Sequence, residues 1–554
     1  MADIVSRIYS NFRGVDFRGE EINLVRSPDS LNVWKKYTET ESIRTRPSMK
    51  LHTGFSEPVY GVFFYDGITI VHSGKKLYKV DSAGDKTVLC EDLNEAPSDS
   101  FVYNGIWYFK DGKHYLQYDG VTVKSVEGYV PTTSIARKPA GGGTIYEDVN
   151  LLTARRKNSF LADGESTEFH LDAQGIDASG VVVKVNEAVV TNYTVDYANG
   201  VVTFAAAPEA PLTDGQDNVT IEFRKTVDGL ADRINKCTLL QVFDNRVFFS
   251  GNPDFPNTVW HCSLNDPAYC SDLDYYNEGL DMAAVNGLVA GNNVLWVFRE
   301  PSDANTTVFY HTPTIDSEYG KIYPNTHSSI STGCVGKAIN FNDDILFFSD
   351  RGMEGISGDI TTEQVLAHRS SLVDRKLLSE HGYKDMVLAE WEGYLLVFIG
   401  DKAYVADSRA MFQNENHMEY EWFYWQMEKP VRCARTSNGV LYLGTDDGVY
   451  TLDGNADLES YWVTPKDKFQ YPHKQKTTNK RGCVVEAMGD VSVYAKMEDT
   501  DFELIGEYTD VTDYFVCRIK RKKFKDLQIK FYSPTRMSLE TATLEVFLGG
   551  YIKR

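Results

Sequence analysis

Carboxylates at the tips of short apolar runs are the first residues in this chain that could do chemistry. Asp66, Asp343, Asp344, Asp446 and Asp447 each stand beside Gly, Asn or a second Asp. Two carboxylates about 5 to 10 Å apart could serve as acid and nucleophile, or acid and base, toward a glycosidic bond. The same residues are also selected at tight turns, where Asp and Asn tolerate positive φ and hydrogen-bond the turn backbone. Turn formation accounts for all five. No catalytic residue is assigned and no enzymatic activity is expected.

The densest cluster of soft metal ligands is HCSLNDPAYC, with His261, Cys262 and Cys270. Adjacent strand residues point to opposite faces, so His261 and Cys262 could share a tetrahedral ion only across a bulge. The run from Asp453 to Glu459 alternates carboxylates like a calcium loop but lacks the remainder of the twelve-residue pattern. Gly141 to Gly143 precede no G-K-[ST] and open no helix, so they form no phosphate loop. No metal and no cofactor are expected.

Basic runs are the sharpest charge feature. RIKRKKFK spans Arg518 to Lys525 and HKQKTTNKR spans His473 to Arg481. Strand alternation would put Lys520, Lys522 and Phe524 on one face and Arg521, Lys523 and Lys525 on the other. Together with Lys474, Lys476, Lys480 and Arg481, these cations are candidate contacts to an acidic neighbour in an assembly. Beyond Glu459 about 17 Lys and Arg face about 13 Asp and Glu, an excess near +4 that leaves the remainder near −26. The formal net charge of −22 excludes a generic nucleic-acid binder, because sequence-independent affinity comes from cations that displace condensed counterions. It is compatible with DNA that must slide past without sticking.

The elements that hold these residues read as strands. The 554 residues are rich in Tyr, Phe and Gly, which suits many short strands with tight turns. VRCARTSNGVLYLGTDDGVYTLDG, Val431 to Gly454, is strand, Asn438-Gly439 turn, strand, Asp447-Gly448 turn, strand. Echoes of this meander occur at Asp66-Gly67, Asn104-Gly105, Asp244-Asn245, Asn292-Asn293, Asp343-Asp344 and Glu392-Gly393. From the third unit onward they recur about every 46 to 51 residues, near the length of a four-stranded propeller blade. The expectation is an all-β chain: a β-propeller of seven blades, or six if one hairpin belongs to a neighbouring blade. The strand after Asp447 is expected to pair near the chain's beginning.

Two blocks break the rhythm. After Val130 a Pro/Gly-rich connector leads to strands EFHLD, VVVKVN, YTVDY, VVTFA and NVTIEFRK, read as a small β-sandwich inserted over residues 158–226. A short helix with Leu230 and Ile234 on one face follows it. The longer strands of 459–554 form a C-terminal β-sandwich. Residues 1–57 are an extended lead-in, 58–157 the first blades with the connector, and 227–458 the remaining blades. No run approaches the roughly 20 apolar residues of a membrane helix, and the eight cysteines form no C-x-x-C pair, so reduced thiols in a cytoplasmically made protein without membrane contact are expected.

NLVRSPDSLNVW, RPSMKL, the connector PTTSIARKPAGGGTIYEDVNLLTARRKNSFLADG, VFFSGNPDFPN, YWVTPKDKFQYPHKQKTTNKRG and LEVFLGGYIKR together resemble virion proteins of tailed bacteriophages. These are stabilisation-type tail and neck proteins, similar in plan to the nozzle of short-tailed phages. The resemblance implies a homo-oligomeric ring, often of six subunits, below the portal and adaptor. Such a ring retains packaged DNA, conducts it during ejection and meets other tail or fibre proteins. It carries no active-site residues. Two other readings stay open: a carbohydrate-binding or carbohydrate-cleaving propeller such as a receptor-binding tail component, and a cytoplasmic propeller scaffold for protein partners.

Overall fold

A computed structural model describes residues 3–37, 42–81, 83–303, 306–317, 320–357, 365–414, 417–520 and 522–552, apart from the side chains of Lys480 and Arg481. The chain divides into two compact units, Met1–Val88 with Ser328–Arg554, and Leu89–His327. Both are built of strands, and among the described residues no helix is long and apolar enough to cross a membrane.

Seven four-stranded antiparallel sheets carry the propeller pattern among the described residues. Three belong to the second unit: Asp99–Tyr103 to Val123–Ser125, Leu239–Phe243 to Tyr275–Asn277, and Val285–Gly291 to Asn325–His327. In the first unit lie the sheets from Ala338–Phe341 to Val365–His368 and from Val387–Trp391 to His417–Gln426. A further sheet, Val59–Tyr65 to Lys86–Cys90, ends at the boundary between units. The seventh is composite. Cys433–Ser437, Val440–Gly444 and Gly448–Gly454 supply three strands, and Ser48–Gly54 from the start of the chain supplies the fourth. The fold is therefore all-β and of propeller type, the class read from the sequence.

The turns explain why these sheets form where they do. Asp66-Gly67, Asn104-Gly105, Asp244-Asn245, Asn292-Asn293, Glu392-Gly393 and Asn438-Gly439 all have positive φ at both positions. That is the type I′ geometry whose twist matches the flanking strands. One turn is shifted from its expected place. Asn342 and Asp343 hold the two positive φ angles, so Asp344 falls on the strand Asp344–Ser349. There its carboxylate accepts hydrogen bonds from Arg369 Nε at 2.8 Å and Tyr420 Oη at 2.9 Å.

The inserted block of the second unit has two sheets around a core that includes Phe160, Phe169, Phe204 and Phe223. Its larger sheet reaches back before residue 158. Thr132–Arg137, inside the expected connector, runs parallel to Arg155–Phe160 with two register shifts. Buried Asn158 stitches the segment together, donating to Thr133 Oγ1 at 3.0 Å and accepting from the Asp172 backbone N–H at 2.8 Å. Gly143 is required beside it, since a Cβ there would meet the Ile135 carbonyl at 2.7 Å. A one-turn helix, Asp232–Asn235, follows the block with Ile234 buried.

The lead-in assigned to residues 1–57 is not a separate element. Ile4–Tyr9, Ser30–Leu31, Val33–Lys35 and Ile43–Thr45 enter one eleven-stranded sheet with the end of the chain. Long-range pairing makes strands of segments with no pronounced alternation of their own. Ile4–Tyr9 lies against Met537–Tyr551, and Ser30–Leu31 against Ser460–Val463. The sheet's spine is the long strand Lys474–Met497. It pairs with Met537–Tyr551 as far as Gly489 and with Leu527–Ser533 from Ser492. Such partner switching turns the corner of a sandwich. Gly489, at φ +92°, sits at the switch, where a Cβ would lie 2.2 Å from the Arg536 carbonyl.

Candidate assembly surface

The basic runs fall on the spine and the short strands beside it, and the structure separates their members. Lys474, half-buried, spans the rings of Tyr471 and Tyr551 at 5.1 and 5.7 Å. Lys476 is no docking cation. It is fully buried, and its ammonium donates to the Lys525 carbonyl at 2.7 Å and to the Tyr471 carbonyl. Burial pulls its pKa below the usual lysine range. It clamps the start of the spine to Lys523–Phe524, with which it is in register.

Arg518 to Lys520 and Lys522 lie in no strand between Tyr514–Cys517 and Lys523–Phe524, so the alternation expected for Lys520, Lys522 and Phe524 does not hold. Ile519 and Phe524 are the buried anchors, which corrects the placement of Phe524 on the same face as the exposed Lys520 and Lys522. Lys520, Lys522, Lys523 and Lys525 are exposed. Lys522 lies 3.3 Å from Glu503 and Lys525 4.0 Å from Glu498, exposed pairs that contribute little stability. Lys520, Lys522, Lys523, Glu498 and Glu503 line a groove of about 220 Å³. Arg521 and the side chains of Lys480 and Arg481 lie outside the described residues. The backbone of the last two belongs to a bulge, because the spine advances from Thr478 to Cys483 while its partner moves only from Val546 to Leu544. Gly482 closes the bulge at φ +79°, its Cα hydrogens against the Cys517 carbonyl, where a Cβ would be 2.2 Å away.

The other candidates have local structural explanations. Asp446 pairs with Arg432, and Asp447 pairs with Lys429 at 2.6 Å. His261 Nδ1 lies 3.0 Å from the Cys262 carbonyl, and Cys262 Sγ accepts the Val247 N–H at 3.0 Å. Burial pushes the Cys262 thiol up to about 12 and the His261 imidazole down to about 4. Among the described residues no group of His, Cys, Asp or Glu is placed to hold a metal ion.

Sequence reasoning missed a strongly perturbed cluster around His368. His368 lies 2.6 Å from Asp374 Oδ2 and 3.2 Å from Glu354 Oε1, and Ser370 Oγ donates to Asp374 Oδ1 at 2.6 Å. Burial opposes the imidazolium, but the hydrogen bonds to Asp374 and Glu354 outweigh it and raise the pKa to about 10. A histidine that stays protonated between two carboxylates is an ion-paired brace and a poor general base at neutral pH. Gly352 leaves room for it, since a Cβ there would meet Asp374 Oδ1 at 2.4 Å and Ser370 Oγ at 2.5 Å.

No family model and no curated protein matches the chain. Solved structures that it resembles include the computationally designed Ika8 protein, at 11% identity and TM-score 0.31 over 73% of this chain and 98% of that one. BamB from Moraxella catarrhalis aligns at 10% identity and TM-score 0.31, covering 74% and 96% of the two chains. The Pan2 WD40 domain of Neurospora crassa aligns at 9% identity and TM-score 0.26, covering 74% and 96%. Likeness of this degree carries no argument about activity.

Proposed function

We propose that the chain is a structural protein of a tailed-phage particle, assembled as a ring at the neck or tail that retains packaged DNA and conducts it during ejection. The observation that carries this reading is the interlocking of the two chain ends. Thr53 pairs with Val449 inside a blade sheet, and Ile4 pairs with Phe547 in the terminal sheet. Pulling either end away breaks a ladder along its length, which suits a subunit that bears load in a wall. The formal charge of −22 favours passage of phosphate over its retention on the surface. The phage resemblance of the sequence points the same way. Quantitative mass spectrometry of purified particles tests the proposal: it predicts the chain in a fixed small copy number per particle, and its absence from particles contradicts it.

Glycan binding is a second reading with one observation in its favour. A cleft of about 380 Å³ in the first unit is lined by Trp34, Trp391, Lys36, Arg44, Arg536 and Glu392, among others. The two indoles stack on each other at 5.0 Å, so the cleft offers ring edges and cations more than an open platform. Glycan-array binding abolished by Arg536→Ala would favour this reading, and an array without signal removes it.

A further inference from the structure

Two cysteines stand directly opposite each other in the terminal sheet. Cys483 of the spine Lys474–Met497 is in register with Cys517 of the antiparallel strand Tyr514–Cys517. Residues so placed share a face, and here it is the core face: Cys483, Val485, Phe515 and Cys517 are buried, while Val484, Tyr514 and Val516 between them are exposed. Both cysteines are thiols in this structure. Opposed residues in such a ladder have Cα atoms about 4.5–5.5 Å apart, within the span of about 4.4–6.8 Å that disulfides bridge. Their Cβ atoms lie about 4.5–5.5 Å apart against about 3.5–4.5 Å in a disulfide. An approach of up to about 1 Å between the strands closes the bond.

One of the two strands is free to move. Tyr514–Cys517 has four residues and, among the described residues, pairs with no strand but the spine. A short edge strand held by one ladder opens at far less cost than the whole fold. Opening it uncovers Cys517, whereas Cys483 keeps a second neighbour, Leu544 on Met537–Tyr551. Tyr508 opposes the opening, donating to the Val516 carbonyl at 3.2 Å and stacking on Phe515 at 3.9 Å. In the closed sheet burial pushes both thiols above the ordinary cysteine range. The thiolate is the nucleophile, so the closed pair is inert and exchange is gated by the edge strand.

We propose that Cys483 and Cys517 form a redox lock, closed by a small disulfide of the glutathione type, that ties the root of the basic run at Arg518 to the sheet spine. The Cys517 thiolate attacks one sulfur of oxidised glutathione, breaks its S–S bond and releases one glutathione thiolate. The Cys483 thiolate then attacks the mixed disulfide at Cys517 and releases the second. The two protons lost by the cysteines protonate the two leaving thiolates, and two electrons pass from the pair to glutathione. A reducing cytoplasm keeps the pair as thiols, and an oxidising medium outside it closes the lock. The inference goes beyond the ring reading and holds whether or not the chain forms a ring.

The test equilibrates the full folded chain with oxidised glutathione, without denaturant and along a urea series that stays below the unfolding midpoint. Peptide mapping by mass spectrometry without reductant is expected to find Cys483 linked to Cys517, with loss of two mass units that dithiothreitol restores. Hydrogen exchange from Phe515 to Lys520 should slow at least about tenfold in the linked chain. Cys517→Ala and Cys483→Ala, checked for folding by circular dichroism, should show no such slowing under the same treatment. Eight free thiols after equilibration, another linked pair in place of this one, or a Cys517 that stops at the glutathione adduct overturns the proposal. So does a link that forms only above the unfolding midpoint, because the folded sheet would then not bring the sulfurs together. A linked chain whose exchange is unchanged overturns the restraint on the basic run.

Discussion

Val449 and Thr53 face each other across an antiparallel ladder, although almost the whole propeller sequence separates them. The fit is close: a Cβ on Gly448 would lie 2.7 Å from the Thr53 carbonyl, and one on Gly454 2.7 Å from the Ser48 carbonyl. Gly448→Val is therefore expected to destabilise the chain by about 1–3 kcal/mol through overpacking. The urea midpoint should fall while the far-UV spectrum of the native state is retained. An unchanged midpoint would mean that this strand pairing contributes nothing.

Arg26 and Glu421 form a buried bidentate pair at 2.8 and 2.7 Å that ties the N-terminal segment to the blade strand His417–Gln426. Arg26 also covers the Phe412 ring at 4.1 Å. Removing one partner leaves a buried charge, so Arg26→Met should cost about 3–5 kcal/mol. The double variant Arg26→Met/Glu421→Leu should recover most of that loss. Chemical denaturation of the four chains measures the coupling, and additive losses would contradict the account.

The His368 brace makes stability depend on pH in a stated direction. Its pKa is raised from 6.5 to about 10 in the folded chain, so the folded state binds the proton more tightly. The stabilisation is fully present below about 6.5 and is lost as pH rises through about 10. Comparing wild type with His368→Gln, the difference in melting temperature should be largest at pH 6 and shrink toward pH 10. A difference that grows with pH would refute the ion-paired arrangement.

Much of the fold was legible because turns impose residue types. Asn438-Gly439 and its echoes need two positive φ angles, and few residue pairs supply them cheaply, so seven sheets could be counted from sequence. The Asn342-Asp343-Asp344 triplet shows the limit: either adjacent pair satisfies the same chemistry, and only the register of Asp344 against Phe341 decides. Strands created by distant partners were not legible. Nothing in Ile4–Tyr9 names Met537–Tyr551 as its neighbour, and Thr132–Arg137 is too irregular to show alternation. The basic runs were visible as charge, but Lys476 is buried because two backbone carbonyls accept its ammonium, and carbonyl positions leave no mark on the sequence.

Gly482 tests the local architecture of the surface. Its φ of +79° and its contact with the Cys517 carbonyl leave no room for a side chain. Gly482→Ala should destabilise the terminal sheet by about 1–3 kcal/mol. Hydrogen exchange should accelerate at Cys483 to Val485 and Phe515 to Cys517, with the blades of the second unit unaffected. Uniform acceleration across the whole chain would show that the bulge is not a local device.

The central claim is that copies of this chain form a ring in a phage particle. Cryo-electron microscopy of purified particles measures it most directly. The account predicts a closed ring of copies at the neck or tail around a lumen wide enough for duplex DNA. Particles that carry the chain as isolated monomers, or that lack it altogether, would contradict the account.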